Sequence, residues 1–358
     1  MTGTAGQKRV PKDFFAGAPF PFPPVEEQHR IVQKVDELMA LCDRLEQQTG
    51  DQIEAHERLV DALLETLTRA ENPTELAENW ARVAQHFDTL FTTEHSIDRL
   101  KQTILQLAVI GRLVPQDSTE APATSLLDEI ETEKGRLIEE KKIRKPKRLN
   151  EVSPEEEGFN LPNGWLWVRL GNFTLVGTGA TPSRQRGDYY TPADYPWVSS
   201  GETSESYITT TKEKISALAV KETNVTIYPV GTLIVAMYGQ GKTRGQVSEL
   251  KIPAGTNQAC AAIQALTPAP HHRRYLKLFF EKSYEELRGN AAGGAQPNLN
   301  VGKISATPVP IPPCAEQRRI VEKVDELLAL CEELRSRIFN AGKIGVELAC
   351  DALAQATH

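Results

Sequence analysis

Gly241, Lys242 and Thr243 stand in the order that closes a phosphate-binding loop. That loop needs a second glycine five residues ahead of Gly241, so that backbone N–H groups can cradle phosphate. Ala236 stands there, which argues against nucleotide binding. The same stretch, Tyr238 to Gly245, offers different chemistry: Gln240, Lys242, Thr243 and Arg244 follow the short apolar run Thr232–Met237. Arginine, lysine and glutamine are the side chains that bond base edges or phosphate oxygens. A second cluster, Thr181 to Tyr190, joins Arg184, Gln185 and Arg186 to Tyr189 and Tyr190. Ser199, Ser200 and Glu202 follow the apolar pair Trp197-Val198. The DNA-contacting residues expected from these types are Arg184, Gln185, Arg186, Tyr189, Tyr190, Ser200, Tyr238, Gln240, Lys242, Thr243 and Arg244. The competing reading of each cluster is an ordinary solvated loop. Asn257-Gln258 and Gln296-Pro297-Asn298 read as polar residues that close loops.

Catalytic patterns are missing. The chain has no Asn/Asp-Pro-Pro-aromatic motif of adenine methylation and no Gly-x-Ser-x-Gly elbow. His271-His272 reads as a solvated pair in a basic loop, and Glu131–Lys134 as the solvent face of a charged helix. Five cysteines show no Cys-x-x-Cys spacing, so neither zinc nor a disulfide framework is expected. No metal or cofactor site is expected, and the chain reads as non-catalytic. There is no apolar run near membrane-spanning length and no signal-peptide core, so a cytoplasmic location is expected.

The elements that must position these loops are marked by a repeat. Pro23–Leu45 and Pro312–Leu334 lie 289 positions apart and share 16 of 23 residues. Ile31, Val35, Leu38, Cys42 and Leu45 step by fours and threes, the spacing of a helical seam. The second copy repeats the seam as Ile320, Val324, Leu327, Cys331 and Leu334. Proline pairs suit both helix starts, and Glu27 and Glu316 favour the positive end of the helix dipole. Cys42 and Cys331 read as small core residues. The two copies are expected to pair as an antiparallel coiled coil.

Helices are expected over 24–70, 74–114, 124–142 and 275–287, with a break at Asn72-Pro73. Lys141–Arg148 reads as a basic, solvated hinge. Between about 160 and 310 the chain mixes short strands and helices; Ile304–Ile311 alternates like an edge strand. The expected class is α+β: one globular domain flanked by long helices.

Charge divides along the same line. Residues 160–310 hold 15 Lys and Arg against 10 Asp and Glu, a net of +5, while the remainder holds 26 against 38. A protein gripping phosphates alone would carry more positive charge. The basic body is therefore expected to read bases while another subunit supplies much of the backbone grip.

The block Pro-Pro-x-x-Glu-Gln-x-Arg-Ile-Val-x-Lys-Val-Asp-Glu-Leu-x-Ala-Leu-Cys, used twice, resembles the conserved regions of specificity (S) subunits of type I restriction-modification enzymes. Ile104–Gln116, Leu161–Leu170, Gly179–Ser183, Val235–Arg244, Asn257–Ala259 and Gly294–Asn298 resemble further landmarks of that family, in its order. The resemblance implies a target-recognition domain at 151–311 that binds double-stranded DNA. It implies a conserved helical region and linker at 23–150 and a second conserved helix at 312–358. It implies methyltransferase (M) and restriction (R) subunits as partners, with S-adenosylmethionine, ATP and Mg bound by those subunits.

One departure stands out. The family carries two recognition domains, each followed by a conserved helix, whereas only 22 residues precede the first helix here. Phe20-Pro21-Phe22-Pro23-Pro24 matches Val309-Pro310-Ile311-Pro312-Pro313, so residues 1–22 read as the stub of a missing domain. Two readings follow: a half-subunit that acts as a homodimer on a two-part target, or an inactive fragment. A coiled-coil adaptor that does not bind DNA is the remaining alternative.

Overall fold

A computed structural model describes residues 16–17, 19–70, 72–239, 242–267, 269–289 and 299–356. Gln240, Gly241 and the Gly294–Asn298 landmark lie outside the described residues, as do residues 1–15. The chain divides into two units, residues 1–59 and 60–358.

The first unit carries most of α1 (Val25–Arg69). The proline pair starts this helix as expected: the backbone N–H groups of Glu27 and Gln28 both donate to Pro24 O at 2.9 Å, and the Gln28 side chain donates to Pro23 O. The seam residues of this copy lie open, with Ile31 48%, Val35 51%, Leu38 49% and Leu45 53% exposed, and Cys42 exposed beside them. Cys42 is thus exposed within its unit, not the core residue its spacing suggests.

The second unit begins with the end of α1, where Val60, Leu64 and Leu67 are buried. Asn72 caps α2 (Pro73–Gln85) by accepting from Glu75 N at 2.9 Å, which explains the break at Asn72-Pro73. The helical stretch expected over 74–114 is divided into three segments, Pro73–Gln85, Phe87–Leu90 and Glu94–Val109. Thr93 and Ser96 form a reciprocal capping box that starts α3 (Glu94–Val109) afresh. Helix α4 (Ala123–Glu139) follows, then a long exposed connection that includes the basic hinge.

The chain enters the α+β body through β1 (Leu166–Arg169) and leaves it through β10 (Pro308–Ile311). These two strands pair antiparallel, Leu166 opposite Ile311. Between them lie a five-stranded sheet and a three-stranded sheet. The larger has the order β2 (Thr174–Thr178), β9 (Cys260–Ala265), β6 (Leu233–Ala236), β7 (Val247–Leu250), β4 (Tyr207–Ile208). The smaller has the order β5 (Glu213–Ile215), β3 (Tyr195–Val198), β8 (Gly255–Thr256). Of the edge strand expected over 304–311, residues 308–311 form β10, while 304–306 belong to a short helix, Val301–Ala306, that the Asn300 side chain caps by accepting from Lys303 N at 2.9 Å.

Helix α5 (Pro270–Lys282) is buried on most sides, with Tyr275, Leu276, Leu278 and Phe280 at or near zero exposure. Helix α6 (Cys314–Ala356) carries the second repeat. Its Ile320, Val324 and Cys331 are buried in one cluster with Ile97, Leu100 and Ile104 of α3 and Tyr275 and Leu278 of α5. Leu327 and Leu334 pack partly buried at the edge of that cluster. An antiparallel helix pair does form, with ion pairs Lys101–Glu332 and Asp98–Arg335 running in opposite chain directions, but α3 is the partner of α6 in it.

The first turn of α6 is locked into the body. Glu316 is buried and accepts from Trp165 Nε1 at 2.9 Å and Gln116 Nε2 at 2.6 Å, a role beyond its place at the helix dipole. Its carboxyl is pushed above the usual range by burial, with no cation beside it. His272, expected in solvent, sits on α5 with no exposure, and its Nδ1 lies 2.9 Å from Gln317 Oε1. Burial lowers its pKa to about 4. Lys134, placed on a solvent face by its neighbours' charge, is also buried; its stem lies along the body and Nζ donates to Asn172 O at 3.0 Å.

Candidate nucleic-acid interface

Register brings the sequence landmarks together. Thr178 opposes Ala261 and Ala236 opposes Cys260, so β2, β6 and β9 share one end. The loops after β2 and β6, and the one before β9, all open at that end. Met237 N and Tyr238 N donate to Ala259 O at 2.8 and 3.3 Å. Thr181 Oγ1 donates to Gln258 Oε1 at 2.6 Å, and Trp197 Nε1 to Ala180 O at 3.1 Å. Asn257 N reaches Val198 O at 3.0 Å, which brings in the end of β3. Asn257 and Gln258 close loops, as their types suggest: Asn257 Oδ1 also accepts from Ala259 N at 3.0 Å.

Two glycines make this stitching possible. A Cβ on Gly179 would stand 1.6 Å from Thr256 O, so no side chain fits where β2 leaves the sheet. Gly245 has φ +86, which lets the chain turn back from the 238–245 loop into β7.

The residues expected at DNA fall into two groups. The first is committed to the protein. Arg184 makes a bidentate pair with Glu213, at 2.5 and 3.1 Å, and stacks over Tyr190 with its guanidinium carbon 4.7 Å from the ring centre. Arg186 bonds Asp188, Glu222 and the Tyr189 hydroxyl while covering the Tyr189 ring at 4.2 Å. The Arg186 bond holds the Asp188 carboxyl below its usual range, and Arg184 does the same to Glu213. Tyr189 is buried and Tyr190 donates to Pro182 O at 2.7 Å. This loop is a clasp, its positive charge matched by neighbouring carboxylates.

The second group is open. Gln185 and Lys242 are exposed, Tyr238 is 39% exposed, and Ser200, Thr243 and Arg244 are half-buried. Ser200 sits in a turn organised by Glu202, whose carboxylate accepts from Ser199 N, Ser199 Oγ and Lys212 N. Arg244 Nε is buried and has no partner among the described residues.

Sequence reasoning missed a third feature, nearer the other end of the sheet, where Tyr207 is level with Glu249 and Leu233. The ammonium groups of Lys251 and Lys277 stand over the ring of Tyr207, on edge strand β4, at 4.4 and 4.0 Å from its centre. Lys277 is buried, donates to Ser206 O at 2.6 Å, and has its pKa lowered by that burial. No sequence spacing announces such a stack, because its members come from three elements. Among the described residues no cluster of three metal-ligating side chains occurs, and no helix is long and apolar enough to cross a membrane.

The α+β body of the second unit is entered and left through one strand pair, and its loops gather at one sheet end. Residues 162–341 match the family model described as "Type I restriction modification DNA specificity domain", and the chain belongs to this family of type I restriction-modification specificity subunits. It is similar to the EcoAI specificity subunit of Escherichia coli, 37% identical over 372 residues, and to the EcoEI specificity subunit of the same organism, 39% identical over 365. Each alignment covers 99% of this chain and 61% of the relative, so the chain spans about three fifths of their length. Among solved structures it is similar to the HsdS subunit from Thermoanaerobacter tengcongensis, at 18% identity and a TM-score of 0.43, covering 94% of this chain and 59% of that one.

Proposed function

We propose that this chain is the DNA-reading subunit of a type I restriction-modification complex, directing methyltransferase and restriction subunits to a two-part duplex target. The observation that carries this reading is the gathering of the 179–190, 199–204, 237–239, 242–246 and 257–259 segments at one end of the central sheet. The chain itself performs no chemistry in this reading; S-adenosylmethionine, ATP and Mg belong to the partner subunits, in the cytoplasm.

The finer part of the proposal is that the subunit works as a homodimer, each copy presenting one recognition domain. Support comes from the open seam of α1, where Ile31, Val35, Leu38, Cys42 and Leu45 expose the same residue types that the second repeat buries. A narrow apolar stripe with charged flanks calls for a helical partner. Identical domains related by a two-fold axis read identical half-sites, so the target is expected to be a two-part palindrome.

The test is co-expression with the methyltransferase subunit of its own operon, followed by native mass measurement and sequencing of methylated DNA. Two copies of each subunit and a palindromic two-part motif are the expected results. An asymmetric motif would overturn the dimer, and methylation without sequence preference would overturn the recognition role.

A further inference from the structure

We infer that residues 242–246, the arm returning into β7, are a seat for the DNA sugar-phosphate backbone, in which Lys242 and Arg244 bond phosphate oxygens and position the domain without reading bases. This deepens the DNA-recognition reading and rests on it.

The first ground is charge. Arg184 and Arg186, the other arginines at this end of the sheet, are neutralised by Glu213, Asp188 and Glu222. Lys242 and Arg244 have no acidic partner among the described residues. The arm also borders a cleft of about 450 Å³ that Lys101, Lys242, Arg274 and Lys277 line. Its two carboxylates are already engaged, Glu281 by Arg274 and Lys277 and Glu332 by Lys101. Lys242 is left as the uncompensated charge on that wall.

The second ground is rigidity. Ala236 N donates to Gln246 O at 3.0 Å and Gly245 N to Ala236 O at 2.9 Å, closing the arm onto β6. Tyr284 Oη donates to Lys242 O at 2.6 Å, and Thr203 Oγ1 to Gln246 Oε1 at 3.3 Å, which brace it from two neighbouring segments. A braced backbone sets where a charge stands, and this is how phosphate contacts fix register on a duplex.

The third ground is reach. Arg244 is half sunk, with its Nε already buried. Base edges lie at the floor of a major groove about 8.5 Å deep. An arginine half buried in its own domain has little length left to span that depth, whereas a phosphate on the groove rim stands nearer the protein surface. A phosphate also supplies the paired acceptors that a guanidinium fork matches.

The test uses the complex with its methyltransferase subunits. Wild type, Lys242→Ala, Arg244→Ala and Arg244→Lys are compared for the methylated motif, and for binding to a duplex carrying that motif and to a scrambled duplex, over a range of salt. Each alanine variant is expected to weaken both duplexes by the same factor. Each is expected to lower the slope of log affinity against log salt by about 1, the value for one lost phosphate contact, with the motif unchanged. Arg244→Lys keeps the charge and is expected to retain most of the slope. Relaxed discrimination at one base-pair position, with scrambled-duplex binding intact, would overturn the inference, as would an unchanged slope. Lys242 is exposed, so its variant remains informative if Arg244→Ala fails to fold. A wild-type complex without any motif overturns the recognition reading instead, and that result appears before a substitution is made.

Discussion

His272 on α5 and Gln317 on α6 meet in the interior of the second unit, ring nitrogen to amide oxygen at 2.9 Å, where the recognition domain is fastened to the second repeat. The partner nitrogen, Nε2, is buried without a partner among the described residues, so the ring is held neutral.

That neutrality makes the fastening sensitive to acid. The folded pKa of about 4 lies below the ordinary 6.5, so the unfolded chain binds the proton first. The stabilisation is complete above pH 6.5 and is lost as pH falls from there towards 4, by about 3 kcal/mol in all. His272→Gln, which keeps an amide towards Gln317, is expected to flatten this part of the stability profile. Denaturant unfolding of both proteins at pH 8, 6, 5 and 4 checks it; parallel profiles would refute the assignment.

The other buried polar anchor, Glu316, has two donors and no cation. Glu316→Ala leaves the Trp165 N–H and the Gln116 amide buried and unpaired, and is expected to cost roughly 2–4 kcal/mol. Glu316→Gln preserves an acceptor for Trp165 and removes a buried charge. It is expected to stay within about 1 kcal/mol of wild type at pH 8, as chemical unfolding would show.

Removing Glu213 should release Arg184. The pair is more than a third exposed on both sides, so its loss is expected to change stability by less than about 1 kcal/mol. The freed guanidinium adds positive charge at the interface. Glu213→Ala is therefore expected to bind scrambled duplex more tightly, with a steeper salt dependence, in a binding titration at several salt concentrations.

Gly179→Ala drives a methyl into the carbonyl of Thr256 and is expected to destabilise the domain by more than about 3 kcal/mol. Gly201, with open space around its Cβ direction, is the matched control; its alanine variant is expected within about 0.5 kcal/mol of wild type. Thermal unfolding of the two variants separates them.

The repeats offer a paired test of their two environments. Val35→Glu on α1 is expected to leave folding of the second unit unchanged and to abolish self-association, read as native mass. Val324→Glu buries a charge beside Ile104 and Tyr275 and is expected to unfold the chain.

Much of this was legible in the sequence. Ile320, Val324 and Cys331 were recognisable as a buried seam from spacing alone, and Thr232–Met237 as a strand from its apolar run. The partner of that seam was not, because periodicity says that a stripe needs covering and never by what; α3 covers it through residues that no repeat marks. His272 and Lys134 were misplaced for a related reason. Their neighbours are charged, and only tertiary packing shows that a helix such as α5 is covered on several sides. At the interface, residue types found the loops, yet Arg184 and Gln185 look alike in sequence. What divides them is Glu213, 29 positions away.

The paired strands β1 and β10 place the two ends of the recognition domain side by side, Leu166 against Ile311. The body is held to its helices by this neck and by α5, whose Tyr275 and Leu278 share one core with α3 and α6. On the recognition reading, transplanting residues 174–265 from a relative, with the neck and α5 kept, should hand this chain a new address on DNA while the packing of α5 on α3 and α6 stays as it is.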